Sequence, residues 1–391
     1  MDDGYFAVKE AVSTISRDEQ RISILPCEEF IESYDELGPI KDEPRLHEFD
    51  TDEYTRITVH GIVIDPFNVT DAVVESLLKY ARTAPFGKGH DTIVDRDVRD
   101  ALEIEAQHIS VHGLYIHDAI GTLDDIYLHE ATLYKMHIYG PGGHFQPHLD
   151  SRHSEDHVGT LVIALNTPYT GGDLVIDGKV IDLHSAPNAL VGCTFYTDVE
   201  HHVTPVTSGV RIVLQYDITR GDLRDGATMF VAVNSDVRTE GLISNIVSRV
   251  DSHPDSHQML MCSHKYSLNS MDPTGTPRHH LKGSDLRVWD RLVTLYPNSV
   301  VVPLVIVTNL NSDGACLGEG YDSYFDAYIA PAKIWKYREN FTCDVDSLIL
   351  VPWVSHDSFR EIESSPFIEH TGNSSQDAEF IYFASAFVVI K

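Results

Sequence analysis

Residues 158–197 read VGTLVIALNTPYTGGDLVIDGKVIDLHSAPNALVGCTFYT, a stretch in which short apolar runs are cut at regular intervals by Gly, Pro, Asn and Asp. Strand candidates fall at Val158–Asn166, Asp173–Ile176, Lys179–Leu183, Ala189–Val191 and Thr194–Thr197, with a turn signal at Pro168–Gly172. Working outward, Leu133–Tyr139 precedes them across the turn Gly140–Gly143, and Arg211–Ile218 follows across Thr207–Gly209. None of these runs has the length or the 3.6-residue period of a helix. Many short strands with regular punctuation read as an antiparallel sandwich or barrel over residues 131–219.

The flanks have a different texture. Residues 57–130 read as a helical support region. Ile57–Ile64 alternates like a half-buried strand, and Asp71–Thr83 places Val74, Leu77, Leu78 and Ala81 on one helical face, with Thr70 or Asp71 as N-cap. Pro85 stops that helix, and Val98–Ala106 reads as a second short one. Residues 1–56 hold 16 acidic and 6 basic residues around one apolar patch, Ile22–Leu25, and read as a solvated acidic arm. Residues 220–391 form an α+β region with strand candidates at Val300–Val307, Leu348–Val354 and Phe380–Ile390; a degenerate second barrel is one form it could take.

Composition removes some functions. With 42% hydrophobic and 23% charged residues, the 391-residue chain has the make-up of a folded globular protein. Sixty Asp and Glu against 29 Lys and Arg give a formal charge of −31, which repels phosphate backbones and anionic lipid surfaces. No nucleic acid and no membrane is therefore expected as partner; a basic partner and a small molecule fit the charge equally well, and charge alone does not choose between them. The apolar run Val300–Val307 is far too short to span a bilayer. The start of the chain, Met1-Asp-Asp-Gly-Tyr5, lacks the basic and apolar regions of a secretory signal. Five widely spaced cysteines without a Cys-x-x-Cys pair fit reduced thiols, so a cytoplasmic or nuclear location is expected.

The chemistry is sought in His-x-Asp/Glu pairs, because a non-haem iron site takes two imidazoles and one carboxylate on one face of the metal. Chance alone, 22 × 60/391, gives about 3.4 such pairs. Three occur, at His148–Asp150, His153–Glu155 and His253–Asp255, so the pair by itself decides nothing. Surroundings separate them. His153 lies in the polar run Ser151–His157 and reads as a solvated loop; His253 has no later His with a suitably spaced cation. His148 follows Tyr139 by nine residues across a Gly-rich turn, and His201 is the one histidine with a Lys or Arg ten residues on, at Arg211. Strand alternation puts His202 on the face opposite His201.

Tyr139-Gly-Pro-Gly-Gly-His-Phe-Gln-Pro-His148-Leu-Asp150 resembles the Tyr…His-x-Asp segment of the prolyl 4-hydroxylase type of Fe(II)/2-oxoglutarate dioxygenases. Tyr169-Thr-Gly-Gly-Asp-Leu174 is similar to that family's mid-barrel turn, and His201…Arg211 to its closing His…basic motif. Ala84–Ile104 resembles the segment that precedes the barrel in a large group of these proteins. The resemblance implies a mainly β α+β protein: a double-stranded β-helix (jelly-roll, cupin-like) with N-terminal helices and a C-terminal β-containing region. It implies His148, Asp150 and His201 as ligands of Fe(II), Arg211 as the partner of the far carboxylate of 2-oxoglutarate, and Tyr139 as a second donor to that cosubstrate. Such an enzyme consumes O2 and 2-oxoglutarate, releases succinate and CO2, and hydroxylates an unactivated C–H bond; peptidyl proline is the first substrate to expect, a free amino acid or secondary metabolite stays open, and ascorbate is a candidate reductant. Two other classes stay in view: a non-catalytic barrel that binds a basic partner, and a cupin-like metal enzyme that uses no 2-oxoglutarate.

Overall fold

The computed structural model describes residues 42–49, 51–88, 91–121, 123, 127–154, 156–184, 189–223, 237–252, 257–264, 266–267 and 280–308, with strands at 22–24, 325–329, 348–351 and 382–389. Two compact units emerge. One comprises residues 43–228 and 368–376; the other comprises residues 1–42, 229–367 and 377–391.

The first unit is built on eight strands: β1 (Tyr127–Tyr139), β2 (His144–His148), β3 (His157–Ala164), β4 (Leu174–Ile176), β5 (Lys179–Ile181), β6 (Leu190–Tyr196), β7 (His201–Val203) and β8 (Arg211–Leu223). Strand order in the larger sheet runs β6-β3-β8-β1, and in the smaller β5-β4-β7-β2, with every pairing antiparallel. Apart from the β4–β5 hairpin, successive strands cross between two facing sheets, which is the double-stranded β-helix. Arg45–Phe49 extends the larger sheet beyond β6, and Leu102–Glu105 and Arg82–Thr83 extend it beyond β1. Arg99–Asp100 extends the smaller sheet beyond β2.

Two-residue alternation explains why the larger sheet's strands read as nearly continuous apolar runs. All eight residues of β3 are buried. Leu161 and Ile163 face an outer core, while Val162 and Ala164 face the space between the sheets. On β8, Ile212, Leu214, Tyr216 and Ile218 belong to the outer core, leaving Arg211, Val213 and Gln215 to face inward. The outer core is closed by helix α1 (Asp71–Leu78), which buries Val74 and Leu77, and by Ile57, Val59 and Ile64 of a three-stranded sheet (Ile109–Leu114, Thr51–Val59, Ile62–Ile64). Each such side chain, fully buried, stabilises the fold by ~1.5–3 kcal/mol. A second helix, α2 (His117–Gly121), contributes Ala119 and Ile120.

Some expectations are corrected. The second helix expected at Val98–Ala106 is instead two short strands, Arg99–Asp100 and Leu102–Glu105, leading into a single 3-10 turn at Ala106–His108. Leu102-Glu-Ile-Glu105 has a period of two, and its buried Glu103 is neutralised by Lys135 on β1 at 2.9 Å and by Arg82 at 3.0 Å. Residues 45–49 and 51–56, assigned above to the solvated arm, are strand; residues 25–41 of that arm lie outside the described residues.

In the second unit six described strands run in one mixed sheet, in the order 22–24, 325–329, 300–308, 382–389, 257–261, 348–351, and Tyr266–Ser267 also pairs with 382–389. Two helices, α3 (Val237–Ser252) and α4 (Gly283–Leu295), accompany it, and Trp289 of α4 stacks on Phe387 with ring centroids 5.7 Å apart. Among the described residues no helix is long and apolar enough to cross a membrane.

Candidate active site

Strands β2 and β7 pair so that His148 stands directly opposite His201, with ring centroids 4.2 Å apart. Asp150 lies two residues beyond His148, so it shares the inward side. Its backbone N–H donates to the Thr197 carbonyl at 3.0 Å, and from the facing sheet Thr160 on β3 donates its hydroxyl to Asp150 Oδ2 at 2.5 Å. All three side chains are buried, and one potential ligand atom from each lies within 4.8 Å of the others.

The ring orientations are set by backbone. His148 Nδ1–H donates to the Gln146 carbonyl at 2.9 Å, and His201 Nδ1–H donates to the Val199 carbonyl at 3.0 Å. A carbonyl only accepts, so Nδ1 carries a proton in both rings, and Nε2 is the nitrogen that holds the lone pair when a ring is neutral. His201 Nε2 is 3.6 Å from Asp150 Oδ1. Phe145 stacks on His148 at 3.5 Å between centroids, and Phe195 lies against His201 at 4.7 Å. Burial, and then the neighbouring His201, hold the His148 imidazole well below its usual value, so it is neutral. Burial pushes the Asp150 carboxyl up, but His201 and the Thr160 hydroxyl outweigh it and leave the group below the ordinary carboxylate range. Burial lowers His201, but Asp150 outweighs it and raises the ring's pKa. This is two imidazoles and a carboxylate around a place for a cation.

Arg211, the first residue of β8, enters the same cavity. It is the largest fully buried side chain among the described residues. Its guanidinium lies 5.3 Å from the Tyr139 ring centre and donates to the Tyr169 phenol oxygen. Among the described residues Arg211 has no carboxylate partner, and its buried Nε has no acceptor. The Gly171–Gly172 turn makes room for it. Gly172 has φ +67°, and a Cβ there would sit 2.8 Å from Val206 Cγ2 and 3.2 Å from Arg211 Cδ. Tyr139 lines the cavity beside Arg211, buried, with no hydrogen-bond partner for its hydroxyl among the described residues. A buried guanidinium without a counter-ion is costly, and a dicarboxylate reaching from the cation place to Arg211 would relieve it.

Residues 134–216 match the 2OG-Fe(II) oxygenase superfamily. The match begins inside β1, ends inside β8, and takes in the whole His148–Asp150–His201–Arg211 arrangement. Comparison with curated proteins returns no match. Solved structures similar to the chain include a Pseudomonas putida prolyl-4-hydroxylase: 16% identity, 50% of this chain and 98% of that one, TM-score 0.27. A viral collagen prolyl hydroxylase from Paramecium Bursaria Chlorella virus-1 is 17% identical over 44% and 97% of the two chains, TM-score 0.24. A Trichoplax adhaerens prolyl hydroxylase, solved with a hypoxia inducible factor peptide fragment, is 14% identical over 53% and 91%, TM-score 0.27. The superfamily implies Fe(II), 2-oxoglutarate and O2, and the donor set of this domain fits them: two imidazoles, one carboxylate, and a buried arginine lacking an anion among the described residues.

Sequence patterns missed several residues of this site. Thr160, Phe145 and Phe195 are single residues in apolar strands, and nothing local distinguishes them. Arg99 and His137 also line the cavity. His153, expected in a solvated loop, is half-buried on the cavity wall, where its Nδ1 contacts Asp217 Oδ2 at 2.6 Å. The polar run around it hid that partner, which lies 64 residues away on β8. His153, His157 and Asp217 also bring ligand atoms within 4.8 Å of one another. However, His157 Nδ1 accepts the His153 backbone N–H at 3.1 Å, so its Nε2 carries the proton and donates to the Gly159 carbonyl at 3.0 Å. That ring has no lone pair left for a metal.

Proposed function

We propose that residues 131–219 form a 2-oxoglutarate-dependent dioxygenase that hydroxylates an unactivated C–H bond. The observation that carries it is one cavity in which two imidazoles, each with Nδ1 tied to a carbonyl, and Asp150 converge, while a buried Arg211 lacks a counter-ion. In this reading His148, Asp150 and His201 hold Fe(II), and Arg211 with Tyr139 holds the far carboxylate of 2-oxoglutarate. The bound iron supplies oxidative decarboxylation of 2-oxoglutarate by O2, giving succinate, CO2 and a hydroxylated substrate. The chain's own part is placement. Thr160 fixes the Asp150 carboxylate, the Gln146 and Val199 carbonyls fix the rings, and Phe145, Phe195 and Val162 keep the cavity walls apolar.

Peptidyl proline is the substrate the sequence resemblance favours, and ascorbate is the reductant to include in assays. Buried free thiols at Cys193 and Cys262 support the reducing compartment, cytoplasm or nucleus, inferred above. Anaerobic titration of the Fe(II)-loaded protein with 2-oxoglutarate tests the function. A weak visible charge-transfer band is expected, and both Arg211→Ala and His148→Ala should abolish it. Metal uptake without any band would overturn the proposal.

A further inference from the structure

Arg99 is a second buried guanidinium in the same cavity. It stands on the short strand beside β2, opposite Phe145, whose ring its guanidinium covers at 4.4 Å. Two of its nitrogens are engaged: Nη1 donates to the Pro85 carbonyl at 2.8 Å and Nη2 to His137 Nδ1 at 3.1 Å. Its Nε is buried without an acceptor, and among the described residues no carboxylate pairs with it.

Arg99 fixes what its neighbours present. Arginine only donates, so His137 Nδ1 carries the lone pair and Nε2 the proton. That proton goes to Gln215 Oε1 at 2.9 Å, which leaves the Gln215 amide NH2 as the end that meets the cavity. Arg99 and Gln215 therefore present donors to the cavity, the guanidinium and the carboxamide NH2. Charge points the same way. With neutral imidazoles, the lining holds Arg99 and Arg211 against Asp150 alone, a net charge of one positive. A divalent cation raises this to three, and the 2-oxoglutarate dianion returns it to one. One negative charge is still unsupplied.

We propose that Arg99, with Gln215 oriented through His137, is a second oxyanion site that binds a carboxylate carried by the substrate itself. The proposal rests on the oxygenase function above and narrows its substrate class: the C–H donor brings its own carboxylate, where an internal prolyl residue with neutral neighbours would not. A purely structural Arg99 would need only the Pro85 and His137 contacts, which leave the buried charge unanswered.

Fluorine NMR of trifluoroacetate tests this on the full chain loaded with Zn(II) and saturated with 2-oxoglutarate. Saturable binding is expected, weakened about tenfold or more by Arg99→Gln, the worth of one charge-assisted hydrogen bond. Arg99→Lys, which keeps the charge but not the fork, should fall between, and neutral trifluoroacetamide should not bind. Three results overturn the proposal: no saturable binding, equal binding of the amide, or displacement of trifluoroacetate by 2-oxoglutarate, which would hand Arg99 to the cosubstrate. A protein that binds trifluoroacetate through Arg99 but never binds 2-oxoglutarate would instead sink the oxygenase function and leave the anion site standing. Stimulation of succinate release from the Fe(II) enzyme by free amino acids, or by peptides carrying the same acid group, then separates the two sources of the carboxylate.

Discussion

Replacing Thr160 by Val removes the hydroxyl that donates to Asp150 Oδ2 at 2.5 Å and keeps nearly the same volume. Thr160 and Asp150 are both buried, so solvent does not readily replace the lost donor. A hydrogen bond to a charged group is worth about 1.5–3 kcal/mol. Part of that is lost with or without metal and appears as lower thermal stability. The part that concerns the metal is orientation, since Oδ1 is the oxygen near His201 and the hydroxyl holds the carboxylate's other end. Outer-shell partners of metal ligands typically contribute 10–100-fold in affinity, or about 1.4–2.7 kcal/mol. Calorimetric titration of the metal-free Thr160→Val protein with Mn(II), in the presence of 2-oxoglutarate, should show that weakening. Thr160→Ser, which restores a donor, should recover most of it. A folded Thr160→Val protein that binds Mn(II) as tightly as the parent would refute the idea that this hydroxyl positions the ligand.

Other outcomes follow from contacts described above. Gly172→Ala forces a side chain into a left-handed backbone, at about 1–2 kcal/mol, and pushes on Arg211. Titration of the charge-transfer band should show 2-oxoglutarate binding about tenfold weaker; unchanged affinity would mean Arg211 is elsewhere when the cosubstrate binds. Lys135→Met strips the buried Glu103 of one partner and should cost the barrel about 3 kcal/mol, seen as a lower melting transition. Adding Glu103→Leu should restore most of it, because the Arg82 left behind is exposed. Burial lowers His157 from 6.5 to about 4, so its neutral ring favours the folded state fully above pH 6.5 and progressively less as pH falls toward 4. That loss amounts to roughly 3 kcal/mol and should be visibly smaller in His157→Gln; parallel pH–melting curves for the two proteins would contradict it.

How much was legible in the sequence depends on whether the signal is local. The inward and outward alternation of β3 and β8, and the opposite faces of His201 and His202, follow from a period of two and are visible in any window of six residues. The His148–Asp150 pair became informative only together with His201 and Arg211, since composition alone supplies as many such pairs by chance. What stayed hidden rests on contacts between distant positions. Glu103 looks like a solvated charge until Lys135 lies across from it. Arg99 sits in Asp95-Arg-Asp-Val-Arg-Asp100, which has the composition of a surface loop. The strand at 45–49 stayed hidden because it shows just one buried side chain, Phe49, and the strand at 51–59 because its start carries Asp52 and Glu53 and its buried Ile57 and Val59 come at its end.

The carbonyls of Gln146 and Val199 have a consequence for metal capture at the proposed site. Both rings are turned to the required face by the backbone as the barrel closes, so the arriving ion need not select a rotamer or a tautomer. Ordering those side chains is accomplished during folding and not during capture. Uptake should then proceed in one fast step, at a rate set by how quickly the ion sheds its own water, with no slower phase of protein rearrangement behind it. In the proposed site the face turned toward the metal is therefore complete before any ion arrives.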